Sequence, residues 1–107
     1  MTIKTWNIEA LTGYKPMTTF YEDFSIADRF GAAAIRDTYK RAVAGWKHNF
    51  KYMTELAMAL NWKVNEHYCT GRIDFAELYA DLYEKADIYC QEHFTEDELR
   101  YYYLTTD

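Results

Sequence analysis

The stretch Phe50–Tyr68, FKYMTELAMALNWKVNEHY, runs nineteen residues without a glycine or a proline. At about 100° of rotation per residue, Phe50, Met53, Leu56, Ala57, Leu60 and Val64 fall on one broad stripe, while Met58 and Trp62 lie away from it. A helix that is apolar on more than one side needs neighbours on several sides, so the rest of the chain is expected to pack around this segment. With 107 residues, half of them apolar and 19% aromatic, the chain suits one domain and is too hydrophobic to stay disordered. The expected fold is all-α: a small single-domain helical bundle with a central antiparallel hairpin and an extended aromatic N-terminal arm.

The boundaries follow from breakers and caps. Residues 1–24 hold the only proline, Pro16, beside Gly13, and their aromatic and aliphatic side chains show neither a helical nor a strand period. They read as an arm laid over the bundle. Residues 25–30 read as one or two helical turns, with Ser25 as N-cap, Asp28 at the third helical position and Gly31 as the stop. The next helix covers 32–48, with Ile35, Tyr39, Ala42, Val43 and Trp46 on one face and Arg36, Lys40 and Lys47 on a basic strip beside it. Unbroken helix from residue 32 to 69 would span ~57 Å, too long for a compact domain of this size, so a break is expected near His48-Asn49 with Asn49 as cap. A continuous rod stabilised by dimerisation is the alternative. The central helix covers 50–69, with Gly71 as its left-handed terminator. A short connection makes the following helix, 74–93, antiparallel to it, and Asp74-x-x-Glu77 has the spacing of a capping box. Thr95-Glu96-Asp97-Glu98 is a second such box and opens a helix over 95–104, carrying Leu99, Tyr102 or Tyr103, and Leu104 inward. Three successive tyrosines fan through too wide an angle for all to be buried, so at least one is expected outside.

Charge is distributed unevenly. Residues 1–65 carry nine Lys and Arg against six Asp and Glu, whereas residues 66–107 carry three against eleven. On the helix 74–93, Phe75, Leu78, Tyr79, Leu82, Ala86, Tyr89 and Cys90 face inward and Glu77, Asp81, Glu84, Asp87 and Glu92 outward, with Ile88 interrupting the acidic face. The net charge of −5 argues against free nucleic acid as a ligand. No window is long and apolar enough to span a membrane, and the start MTIKTWNIEA lacks the pattern of a secretory leader, so a cytoplasmic location is expected.

Sites of covalent chemistry are poorly supported. His67, Cys69, Cys90 and His93 are zinc-binding types, but an antiparallel hairpin separates Cys69 from Cys90 by ~20 Å, which excludes both a shared metal and a disulfide between them. His48, Cys90 and His93 could share the far end of the bundle, the basis of an alternative reading as a small metal-binding enzyme. The single serine, Ser25, has no histidine near it in sequence and no nucleophile-elbow glycines, so capping is its expected role. Glu55 and Glu66 are expected on a solvated salt-bridge face with Lys51 and Lys63, rather than as an acid–base pair. No phosphate-binding loop or HExxH motif occurs. No cofactor and no metal are expected.

The runs DFSIADRFG, AIRDTYKRA, WKHNFKYMTELAMALNWKVNEHY and ELYADLYEKADIY, with the ending YYYLTTD, resemble a family of small helical proteins of phages and integrative elements in gut bacteria. The resemblance covers residues 14–107 and is most specific over WKxN…TEL…LNWK. It implies a mobile-element setting, and no activity or catalytic residue. The functional expectation is therefore a non-catalytic interaction module with a protein partner, most concretely an inhibitor of a nucleic-acid-handling defence enzyme (anti-CRISPR or anti-restriction). Glu77, Asp81, Glu84, Asp87, Glu96, Asp97 and Glu98 would imitate the charge of a nucleic-acid backbone, with Tyr101, Tyr102 and Trp62 as aromatic anchors. The alternative is a homodimeric structural or assembly protein.

Overall fold

The computed structural model describes residues 16–106, which form five α-helices and no strand: α1 Pro16–Asp28, α2 Ala32–Trp46, α3 Phe50–Cys69, α4 Ile73–His93 and α5 Glu96–Thr106. The expected all-α bundle is what folds. Helix α3 packs against all four others, and its partnership with α4 forms the central hairpin. The longest extent is 36 Å and the radius of gyration 13.4 Å, so α2 and α3 cannot be one rod of ~57 Å. Asn49 supplies the break: its backbone is extended and its side-chain oxygen accepts from the Tyr52 N–H at 3.2 Å.

The other ends are equally local in cause. Gly71 adopts φ 82°, and the chain closes α3 with Arg72 N–H on the His67 carbonyl and Gly71 N–H on that of Tyr68, the two bonds of a Schellman turn. Thr95 and Glu98 exchange hydrogen bonds at 2.9 and 3.3 Å, the capping box expected for α5. The box expected at Asp74 does not form. Helix α4 starts one residue earlier, Arg72 is its N-cap without a side-chain bond, and the Asp74 carboxylate is turned onto Arg72 at 3.3 Å.

The main correction lies at the N-terminal side. Residues 16–24 are helical rather than an extended arm, and Ser25 sits inside α1 instead of capping a shorter helix. Pro16 opens the helix, where a fixed φ and a missing N–H cost nothing. Met17, Phe20, Tyr21, Phe24 and Ala27 then recur at helical spacing; Phe20, Phe24 and Ala27 are buried and Met17 and Tyr21 pack beside them. Residues 1–15 of the expected arm lie outside the described residues. In α5, Tyr102 is wholly buried and Tyr101 and Tyr103 are exposed, but Leu104, expected inside, is 80% exposed.

Candidate functional site

The core of the bundle contains a charge. Lys63 is fully buried, although the sequence places it on a solvated face of α3. Its ammonium lies 2.7 Å from Asp28 Oδ2, 2.8 Å from Glu66 Oε2 and 3.1 Å from Ser25 Oγ. The rings of Tyr21 and Tyr79 flank it at 4.9 and 5.8 Å. Each carboxylate has further donors. The Tyr79 hydroxyl donates to Asp28 Oδ1 at 2.5 Å, His67 Nε2–H donates to Asp28 Oδ2 at 3.0 Å, and the Tyr21 hydroxyl donates to Glu66 Oε1. His67 stacks on the Tyr79 ring and meets Phe75 edge-on; its Nδ1 is buried without a hydrogen-bond partner. Tyr21, Ser25 and Asp28 come from α1, Lys63, Glu66 and His67 from α3, and Tyr79 from α4, so this hub ties three helices together.

Electrostatics decides what the hub can do. Burial works to discharge Lys63, but the hydrogen bonds and fields of Asp28 and Glu66 outweigh it and raise its pKa above the ordinary value. Burial likewise pushes Glu66 up, and the contacts with Lys63 and Tyr21 reverse this, leaving its carboxyl below the usual range. Tyr79 is driven well above the ordinary phenol value by burial and by Asp28, so it stays a donor. A lysine held protonated cannot accept the Ser25 proton, so the Ser25–Lys63 contact is not a nucleophilic dyad. Asp28, Glu66 and His67 also bring ligand atoms within 4.8 Å of one another, the spacing a metal would use. The Lys63 ammonium, however, fills the cation position among the carboxylates. The hub is an internal ion pair of Lys63 with Asp28 and Glu66.

The residues expected to bind a partner divide. Glu77, Asp81 and Glu84 on α4 and Glu96 and Asp97 on α5 are exposed. Asp81 meets Lys85 at 3.8 Å and Asp97 meets Arg100 at 3.5 Å, both loose surface pairs. Trp62 is 58% exposed and Tyr101 36%. Three expectations need correction. Tyr102 cannot anchor a partner, because it is buried and donates to Asp87 Oδ1 at 2.7 Å. Asp87 is therefore half-buried and occupied by Tyr102 and Gln91. Glu98 is half-buried and engaged in the α5 cap.

At the opposite end of α4 from its start, a groove of about 340 Å³ is lined by Lys47, His48, Phe50, Tyr89, His93 and Glu98. Tyr89 is pinned by its hydroxyl on the Lys47 carbonyl at 2.9 Å, and the His93 ring stacks on Tyr89 at 4.1 Å. Cys90 does not join His48 and His93 as a ligand. It is fully buried, and burial pushes its thiol up to about 12, so it stays protonated. Cys69, a free thiol, is exposed at the end of α3. No helix among the described residues is long and apolar enough to cross a membrane.

Neither a family model, nor a curated protein, nor a solved structure matches the chain.

The hub leaves only a faint local trace in the sequence. The buried stripe Met53, Leu56, Leu60 continues at helical spacing onto Lys63 and His67. A lysine and a histidine in core register, with Glu66 three residues beyond the lysine, were the available signal for a buried pair.

Proposed function

We propose that the chain is a non-catalytic interaction module that offers the acidic side of α4 and the start of α5 to a basic surface of a protein partner. The observation that supports this is the row Glu77, Asp81, Glu84, carried on a helix whose other side is locked into the core through Phe75, Leu78, Tyr79 and Leu82. A rigid helix presenting carboxylates at fixed spacing costs little ordering entropy on binding, and its charge steers encounter with a cationic groove. Trp62 and Tyr101 add exposed aromatic surface of the kind that anchors interfaces. In its most concrete form the partner is a nucleic-acid-handling defence enzyme, whose basic groove the acidic row would occupy in place of nucleic acid.

The test is phage plating on bacteria that carry a CRISPR effector or a restriction enzyme, with and without expression of this chain. Rescue of plating by the wild type, and its loss in Glu77→Lys/Asp81→Lys/Glu84→Lys with the thermal midpoint preserved, is the expected result. Failure to rescue against any such system, or rescue that survives the charge reversal, removes the proposal.

A homodimer is the second reading, favoured by Phe30, Trp62 and Leu104, which are 76%, 58% and 80% exposed. Sedimentation as a monomer at high protein concentration removes it.

A further inference from the structure

We propose that the side of the bundle formed by α2 and α4 pairs with the same side of a second copy of this chain about a two-fold axis, the basic row of α2 in one copy lying on the acidic row of α4 in the other. This rests on the homodimer reading above and gives it a face. On α2 and its C-cap, Arg36, Lys40 and Lys47 fall within about 40° of one another around the helix, are exposed, and form no ion pair among the described residues. Arg41, the other cation of this stretch, is turned onto Asp37 at 3.0 Å. On α4, Glu77, Asp81 and Glu84 fall within about 60° of one another and are equally exposed. Of these, only Asp81 has a basic neighbour among the described residues, Lys85 at a loose 3.8 Å.

The two rows share one side of the molecule, since α2 packs against α4. The Tyr89 hydroxyl of α4 donates to the Lys47 carbonyl at 2.9 Å. Eight residues earlier on each helix, Tyr39 is within reach of Asp81: burial, then the fields of Cys90 and Asp81, push its phenol up to about 12. The helices therefore run side by side in the same direction. A two-fold axis perpendicular to them reverses the order of the partner's residues, so Arg36 comes to Glu84, Lys40 to Asp81 and Lys47 to Glu77, each contact made twice. A face of one sign would repel its own copy, whereas a face with one helix of each sign is its own complement. Its size sets the strength. Two helices each about 10 Å wide and about 22 Å long offer roughly 450 Å² per copy, below the roughly 800 Å² of a standard interface, so the dimer is weak and sensitive to salt.

The experiment is analytical ultracentrifugation of the full chain over a range of concentrations at low ionic strength and again in ~1 M salt, where the screening length is only ~3 Å. The expected result is a concentration-dependent dimer in low salt that becomes monomeric in high salt. Arg36→Glu/Lys40→Glu and Asp81→Lys/Glu84→Lys are each expected to weaken self-association at least about tenfold, because like charges then face each other twice. An equal mixture of the two variants is expected to restore the dimer, since each supplies the row that the other lacks. Circular dichroism confirms that both variants fold, and the salt response of the wild type needs neither of them. A wild type that stays monomeric in low salt overturns this proposal and the homodimer reading together. A dimer that ignores salt, that survives in either variant or that fails to return in the mixture overturns this face alone, as do assemblies larger than a dimer.

Discussion

The hub around Lys63 and the outer side of α4 are both rich in carboxylates, yet they face opposite physical problems. In the hub, Asp28 and Glu66 are withdrawn from much of the solvent and every charge is answered by an ammonium, a phenol or an imidazole. On α4, Glu77 and Glu84 are exposed and form no ion pair among the described residues. Water satisfies them at no cost to folding. The lesson is that a carboxylate's contribution to the fold depends on what remains when its partner is removed, and this differs most sharply between these two places.

The largest effect is therefore expected at Lys63. Lys63→Met leaves Asp28 and Glu66 facing each other inside the bundle and should lower stability by about 3–5 kcal/mol in urea denaturation. Adding Asp28→Asn and Glu66→Gln to that variant removes the stranded charges and should recover part of the loss. No recovery would mean that packing, not charge, sets the cost. Next comes Tyr79→Phe, which deprives Asp28 of a buried donor and should cost about 1–3 kcal/mol. Tyr102→Phe removes the bond to the half-exposed Asp87, which water can replace, and is expected near the low end, about 1 kcal/mol, in the same assay.

Titration sharpens the comparison from both ends of the pH scale. Glu66 has a depressed folded-state pKa, so its contribution is present above its ordinary value of 4.5 and is lost as the pH falls through the folded value. Lys63 and Tyr79 are raised, so theirs are full below 10.5 and 10.0 respectively and are lost as the pH rises toward the folded values. Thermal midpoints should thus fall on both sides, and Lys63→Met should flatten the acid limb. The smallest effect is expected on the outer face: Glu77→Lys, Asp81→Lys and Glu84→Lys should each change stability by no more than about 0.5 kcal/mol. A cooperative loss there would place those carboxylates among the groups that hold the fold.

The contrast also explains what a reader of the sequence could see. Helices α2 to α5 announce themselves through an apolar period and through Asn49, Gly71 and the Thr95–Glu98 box, all short-range signals. The first half of α1 does not, because its stripe begins at a proline that also reads as a turn. The hub is harder still. Asp28 reaches Lys63 across 35 positions and Tyr79 reaches Phe24 across 55. Nothing local links them beyond a lysine and a histidine in core register. Tyr102 illustrates the same limit, since among three adjacent tyrosines only tertiary packing selects the one that turns inward.

Placing a single cation under α1 has a consequence for how that helix finds its seat. Phe20 and Phe24 are interchangeable grease, and a shift of α1 along α3 by one turn, about 5.4 Å, would still cover apolar surface. Such a shift would carry Asp28 away from Lys63 and leave a bare ammonium beneath the helix. The lysine thus works as a keyed notch: beyond holding α1 through Asp28, it makes every misaligned docking expensive.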